Sequence, residues 1–124
     1  MATAGELQEQ VQAALPHLSL SRVRELAGAV DCLVKLFQPY RMYVFGSQAR
    51  GTPRPDSDID VLVIVPIANE PTYRLAAQAY AALAPNRLPV EIVFMTCAEF
   101  DARVPAAASL PATVLREGRL LYAA

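Results

Sequence analysis

Three carboxylates and one glycine–serine pair carry the chemistry open to this chain. Asp58 and Asp60 stand two residues apart at the start of a run ending at Val65 that is apolar at every position after Asp60. In a strand, side chains two apart project from the same face. Two carboxylates so placed repel one another, and a divalent cation is the usual compensation. Hard oxygen ligands favour Mg²⁺ or Mn²⁺, and such sites commonly act on phosphates. Gly46-Ser47, which ends the preceding apolar run, offers the complement: a tight turn whose N–H groups and hydroxyl can hold phosphate oxygens. The third carboxylate, Glu91, is the one charged residue in the run Val90 to Met95. If the strands carrying them are neighbours, Asp58, Asp60 and Glu91 converge at one sheet edge. Two cations about 3.5–4 Å apart, bridged by such carboxylates, can stabilise both oxygens of an in-line phosphoryl displacement.

The elements that must position these residues are legible from periodicity. A first helix begins after Thr3, with Glu6 completing a capping box, and carries Leu7, Val11 and Ala14 on one face until Pro16. A longer helix starts near Ser19 or Ser21, with Val23, Leu26, Ala27, Val30, Val34 and Phe37 as its apolar stripe. Arg22, Arg24 and Lys35 fall off that stripe and read as a solvated face. Arg41 to Phe45 is the first strand, and Gln48-Ala49-Arg50 makes one helical turn before Gly51. A Pro-rich loop leads to the second strand, whose apolar run marks it as central and covered on both faces. Buried strands rarely open on charge, and such local conflicts mark functional sites.

Tyr73, Ala76, Ala77, Tyr80 and Leu83 predict a third helix, ended by Pro85-Asn86. Val90 to Met95 is the third strand, and Thr96 with Glu99 opens a short helix. Pro111 to Glu117 suits a last helix closed by Gly118, and Leu120-Leu121-Tyr122 a short edge strand. The pattern is an α/β (α+β) fold: a small mixed sheet flanked by helices, in one domain over 1–124.

Composition narrows the function class. The chain has 124 residues, 54% of them hydrophobic, and a net charge of −1. That balance gives no electrostatic case for gripping a long nucleic acid. Cys32 and Cys97 are too few for a disulfide framework or a zinc site, which points to a reducing cytoplasm. Cys97 reads as a core or neutral residue. The first residues lack a signal-peptide profile, and no apolar run approaches the roughly 20 residues that span a bilayer. His17 lies in a connector and reads as a solvated loop residue.

Each site residue also has a plainer reading. Asp-x-Asp pairs often cap loops, Ser57 and Asp58 fit a turn cap, and Glu91 on an edge strand fits simple solvation. Arg50 suits either neutralising phosphate charge or anchoring its loop. The conjunction favours chemistry: Gly-Ser after a strand, ten residues to Asp58, Asp-x-Asp at a buried strand, then a strand carboxylate.

Gly46-Ser47-Gln48-Ala49-Arg50-Gly51 followed by Ser57-Asp58-Ile59-Asp60 resembles the signature of minimal nucleotidyltransferase (MNT) domains of the polymerase-beta-like nucleotidyltransferase superfamily. Glu91 matches the family's third carboxylate, and Arg116-Glu117-Gly118 with Tyr122 matches its closing segment. Two positions depart from the usual pattern: Glu91 is more often Asp, and Gln48 is frequently basic or aromatic. The resemblance implies the polymerase-beta-like fold, with Mg²⁺ and a nucleoside triphosphate in the cleft. It implies Asp58, Asp60 and Glu91 as catalytic metal ligands, and Gly46, Ser47, Arg50 and Ser57 as nucleotide contacts.

Relatives that modify antibiotics or extend nucleic acids resemble this core plus a substrate-binding domain, which 124 residues leave no room for. A partner chain is therefore expected to bring the acceptor. The resemblance extends to MNT antitoxins, which implies AMP transfer from ATP to a tyrosine hydroxyl of a HEPN-type toxin within a hetero-oligomer. The alternatives are the catalytic subunit of a small-molecule nucleotidyltransferase and a binding module that neutralises its partner by contact alone.

Overall fold

The structure is a computed structural model that describes residues 2–52, 58–86 and 88–124. Helix α1 (Ala4–Ala14) begins where the Thr3 hydroxyl accepts the Glu6 N–H, and buries Leu7, Val11 and Ala14. Helix α2 (Leu20–Phe37) is capped by Ser19 and buries the stripe Val23, Leu26, Ala27, Val30 and Val34, with Ala29 and Leu33 added. It ends at Gln38, whose φ of 47° is left-handed, and Pro39 cannot extend it. Then follow β1 (Arg41–Phe45), α3 (Gly46–Arg50), β2 (Ile59–Val65), α4 (Thr72–Leu83), a 3₁₀ turn (Ala84–Asn86), β3 (Val90–Thr96), α5 (Cys97–Arg103), α6 (Leu110–Glu117) and β4 (Arg119–Ala123).

The four strands form one mixed sheet in the order β3-β2-β1-β4. β1 pairs antiparallel with both β2 and β4, while β2 and β3 are parallel and joined through α4. Alternation along the strands splits the core in two. Met42, Val44, Val61 and Val63 face α1, α2 and α4, whereas Tyr43, Leu62, Ile64 and Met95 face α5 and α6. The central strand expected from the apolar run is therefore covered on both faces, as a layered α/β sheet requires. Helix α5 opens with the expected reciprocal capping box between Thr96 and Glu99.

Helix α4 is rotated from its expected phase. Leu75, Ala79 and Leu83 are its buried residues, while Tyr73 and Tyr80 are exposed. Alanine on nearly every face left the period without a sharp phase, and tyrosine suits a half-wet position as well as a buried one. Tyr80 has a definite task there: its hydroxyl accepts the Ile92 N–H at 2.7 Å. That bond pins edge strand β3 beside Glu91. Tyr80→Phe is expected to cost about 0.5–1.5 kcal/mol, read as a lower urea midpoint with an unchanged slope; an unchanged midpoint would remove the bond from the account. Among the described residues, no helix is long and apolar enough to cross a membrane.

Candidate active site

The site is assembled on one row of the sheet. Phe45, the last residue of β1, lies opposite Asp60, the second residue of β2, and Asp60 lies opposite Glu91, the second residue of β3. Asp60 shares its strand face with Leu62 and Ile64, and Glu91 shares its own with Val93 and Met95. All four of those apolar residues belong to the cluster under α5 and α6. The two carboxylates therefore sit on one face, on adjacent parallel strands. The sequence left open whether these strands are neighbours; they are.

Asp58 lies one residue ahead of β2, not within it. The ladder starts at Ile59, whose N–H donates to the Pro89 carbonyl at 2.8 Å. Strand alternation therefore does not place Asp58, which is exposed. Its charge is nonetheless felt at Asp60.

The turn opposite is α3. Gly46 has φ +74° and Gly51, which closes the helix, φ +73°. A Cβ on residue 46 would overlap Oδ2 of Asp60. Only glycine lets the chain lie this close to the carboxylate. Ser47 is half-buried in the first turn of α3, where no side chain caps the helix. Arg50 is exposed at its end, 3.9 Å from Glu117 on α6. At that distance and exposure the pair anchors the turn weakly. Ser57 falls outside the described residues.

Electrostatics tie these groups together. The carboxyl of Asp60 is held above its ordinary pKa, first by burial, then by the charge of Glu91 and a hydrogen bond shared with it, then by the charge of Asp58. Arg50 acts in the opposite sense and favours the ionised form. Gly46, Asp60 and Glu91 are thus brought together, with Asp58 and Arg50 in electrostatic reach. Among the described residues, no three His, Cys, Asp or Glu side chains already form a metal cage. The donor set still fits a hard cation: it is all carboxylate oxygen, with negative charge exceeding its local compensation, beside a turn kept open by glycine.

One residue was missed by sequence reasoning. His17, expected in free solvent, is exposed yet bonds through Nε2 to Oε1 of Gln48 at 2.7 Å. No local pattern signals a contact across 31 positions. Gln48 is 7% exposed, so its side chain turns into the protein.

The arrangement is a mixed sheet with two carboxylates side by side, Asp60 and Glu91, and the glycine-opened turn of α3 against Asp60. A family model described as a nucleotidyltransferase domain matches residues 25–121, which hold every described candidate residue. The chain belongs to the nucleotidyltransferase domain family. No functionally curated protein matches it. Among solved structures it is similar to a Sulfolobus solfataricus protein provisionally classed as a nucleotidyltransferase. The identity is 19%, over 97% of this chain and 87% of that one, with a TM-score of 0.51. At that identity the likeness is one of fold. It is also similar to a chain of a toxin–antitoxin complex with AMP-PNP, at 24% identity over 78% of this chain and 73% of that one, TM-score 0.47. A third is a chain in the structure of a tri-AMPylated Shewanella oneidensis HEPN toxin in complex with MNT antitoxin, at 19% identity over 81% of this chain and 73% of that one, TM-score 0.44.

Proposed function

We propose that this nucleotidyltransferase-family chain moves AMP from ATP, with Mg²⁺, onto a hydroxyl of a partner protein, as the antitoxin of a HEPN/MNT pair. The observation that carries nucleotidyl transfer is the side-by-side placement of Asp60 and Glu91 on parallel strands, with Gly46 against Asp60. The choice of ATP and of a protein acceptor rests on the resemblance of Gly46–Gly51, Ser57–Asp60 and Arg116–Gly118 to minimal nucleotidyltransferase domains.

Asp58, Asp60 and Glu91 would hold Mg²⁺, whose positive charge, once bound, offsets that of the triphosphate and of the displacement. Gly46 and Ser47 would present N–H groups and a hydroxyl to phosphate oxygens. Arg50, exposed and only loosely tied to Glu117, adds positive charge. Glu91 is exposed at the sheet edge, where an acceptor can approach, and its carboxylate can take the hydroxyl proton. As the oxygen–phosphorus bond forms at the α-phosphorus, the bond to the bridging oxygen breaks and pyrophosphate leaves with the electron pair. Positioning and charge stabilisation supply most of the rate.

The test is transfer of label from α-labelled ATP, with Mg²⁺, to the protein encoded beside this chain. Label on a partner hydroxyl, abolished by the double substitution Asp58→Asn and Asp60→Asn, is expected. No transfer to that partner sinks the protein acceptor. Neutralisation that survives the double substitution sinks the catalytic reading and leaves contact binding.

A further inference from the structure

We infer that His17 is a positioning residue for nucleotide binding, bracing the Gly46-Ser47 turn through the Gln48 side chain. This rests on the reading of that turn as the phosphate cradle. Three observations carry it.

The first is that α3 cannot hold its own place. It spans five residues and starts with no side-chain cap. A helix so short is far below the length at which helical bonding sustains itself. Its position must come from what its side chains grip.

The second is the grip itself. Ala49 is buried, and Arg50 reaches Glu117 only at 3.9 Å between half-exposed groups. The bond from His17 to Gln48 is 2.7 Å. Gln48 is the one polar residue among the described residues that is buried. Oε1 is a carbonyl oxygen and can only accept, so the ring donates from Nε2. Removing that donor takes away one of the bonds that fix the buried amide. The side chain is then held less tightly, and with it the backbone one and two residues from Ser47 and Gly46.

The third is that His17 is offered from a fixed support. Its connector between α1 and α2 is nailed down on both sides: Leu15 is 1% exposed, Leu18 packs on the same core, and the Leu18 N–H donates to the Leu15 carbonyl at 3.1 Å. An exposed imidazole on a rigid arm, bonded to a buried amide, is a strut.

The phosphates are held in ground and transition state alike, so loosening their cradle weakens binding more than turnover. His17→Ala is expected to raise the Kd for AMP-PNP with Mg²⁺, and the nucleotide KM, about 10-fold. The kcat should stay within about 2-fold and the melting midpoint close to wild type. His17→Gln, whose amide N–H replaces the Nε2 donor, should restore binding. In a Gln48→Leu background His17→Ala should have no further effect, because the pair acts as a unit. Unchanged affinity in His17→Ala, a loss that His17→Gln does not repair, or an additive double variant overturns the inference. Wild-type protein that binds no AMP-PNP sinks the reading of the turn itself, and this inference with it.

Discussion

Gly46→Ala is expected to abolish nucleotidyl transfer while Gly51→Ala, five residues on, leaves it largely intact. Both glycines have left-handed backbone, φ +74° and +73°, so both substitutions bear the same conformational cost of about 1–2 kcal/mol. They differ in what a methyl group would meet. At Gly51 there is nothing within 4 Å, whereas at Gly46 it would overlap Oδ2 of Asp60. The turn or the carboxylate must then give way, and a displacement of about 1 Å at a reacting centre costs on the order of 10²-fold in rate. Thermal melts of the two variants isolate the backbone term, and the remaining difference in activity reports the contact with Asp60. Equal activity in the two variants would show that the turn does not need to lie against the carboxylate.

That contact explains why some of the site could be read from residues alone and some could not. The stretch from Met42 to Val65 was legible because its signals are local: a strand broken by Gly46, and an apolar run opened by charge. β1 and β2 run over the residues their patterning marks, and β3 extends one residue further, to Thr96. The convergence of Asp60 with Glu91 was legible only as a condition, since strand order depends on how α4 carries the chain from β2 to β3. Periodicity misled where composition was uniform. The alanines of α4 gave the helix without its phase, and Tyr80 proved to be a bond acceptor for Ile92 rather than core. Asp58 shows a different limit. Spacing of two places it on Asp60's face only if both lie in the strand, and the strand begins after it.

His17 marks the outer limit of such reading. Its bond to Gln48 joins a helix connector to a turn in a different layer, and neither residue is unusual in its own neighbourhood. The resemblance marked position 48 as a departure, but nothing in the sequence shows that the amide is buried, and it is burial that requires a partner. The Glu91 departure has a physical counterpart as well. An edge position leaves the longer side chain exposed at the sheet margin, beside Asp60 in the register.

The second large effect is a trade between stability and activity at Asp60. Burial and the neighbouring charges of Glu91 and Asp58 raise its pKa above the ordinary carboxylate value. A carboxyl raised in the folded state binds more protons there than in the unfolded chain over the interval between the two values. Stability therefore falls as pH rises through that interval, and the whole penalty is present at neutral pH. Asp60→Asn removes the titrating group but keeps the shape. At pH 7, without divalent cation, the variant should be more stable than wild type by a few tenths to about 1 kcal/mol, allowing for solvent screening of a partly exposed group. In a melt that is about 1–4 °C, and the gap should close as pH falls below the ordinary aspartate value. Adding Mg²⁺ should reverse the order, because a ligand that binds only the folded state stabilises it and the variant lacks a central donor. Transfer activity should fall by about 10³-fold or more, the several kcal/mol that charge compensation by a cation supplies. A wild type that stays the more stable protein in metal-free buffer across this range would mean that Asp60 is settled by its surroundings. Equal stabilisation of both proteins by Mg²⁺ would place the cation elsewhere. The predicted reversal has a simple origin: the neighbouring charges that weaken the metal-free protein at Asp60 are the ones a bound cation would offset.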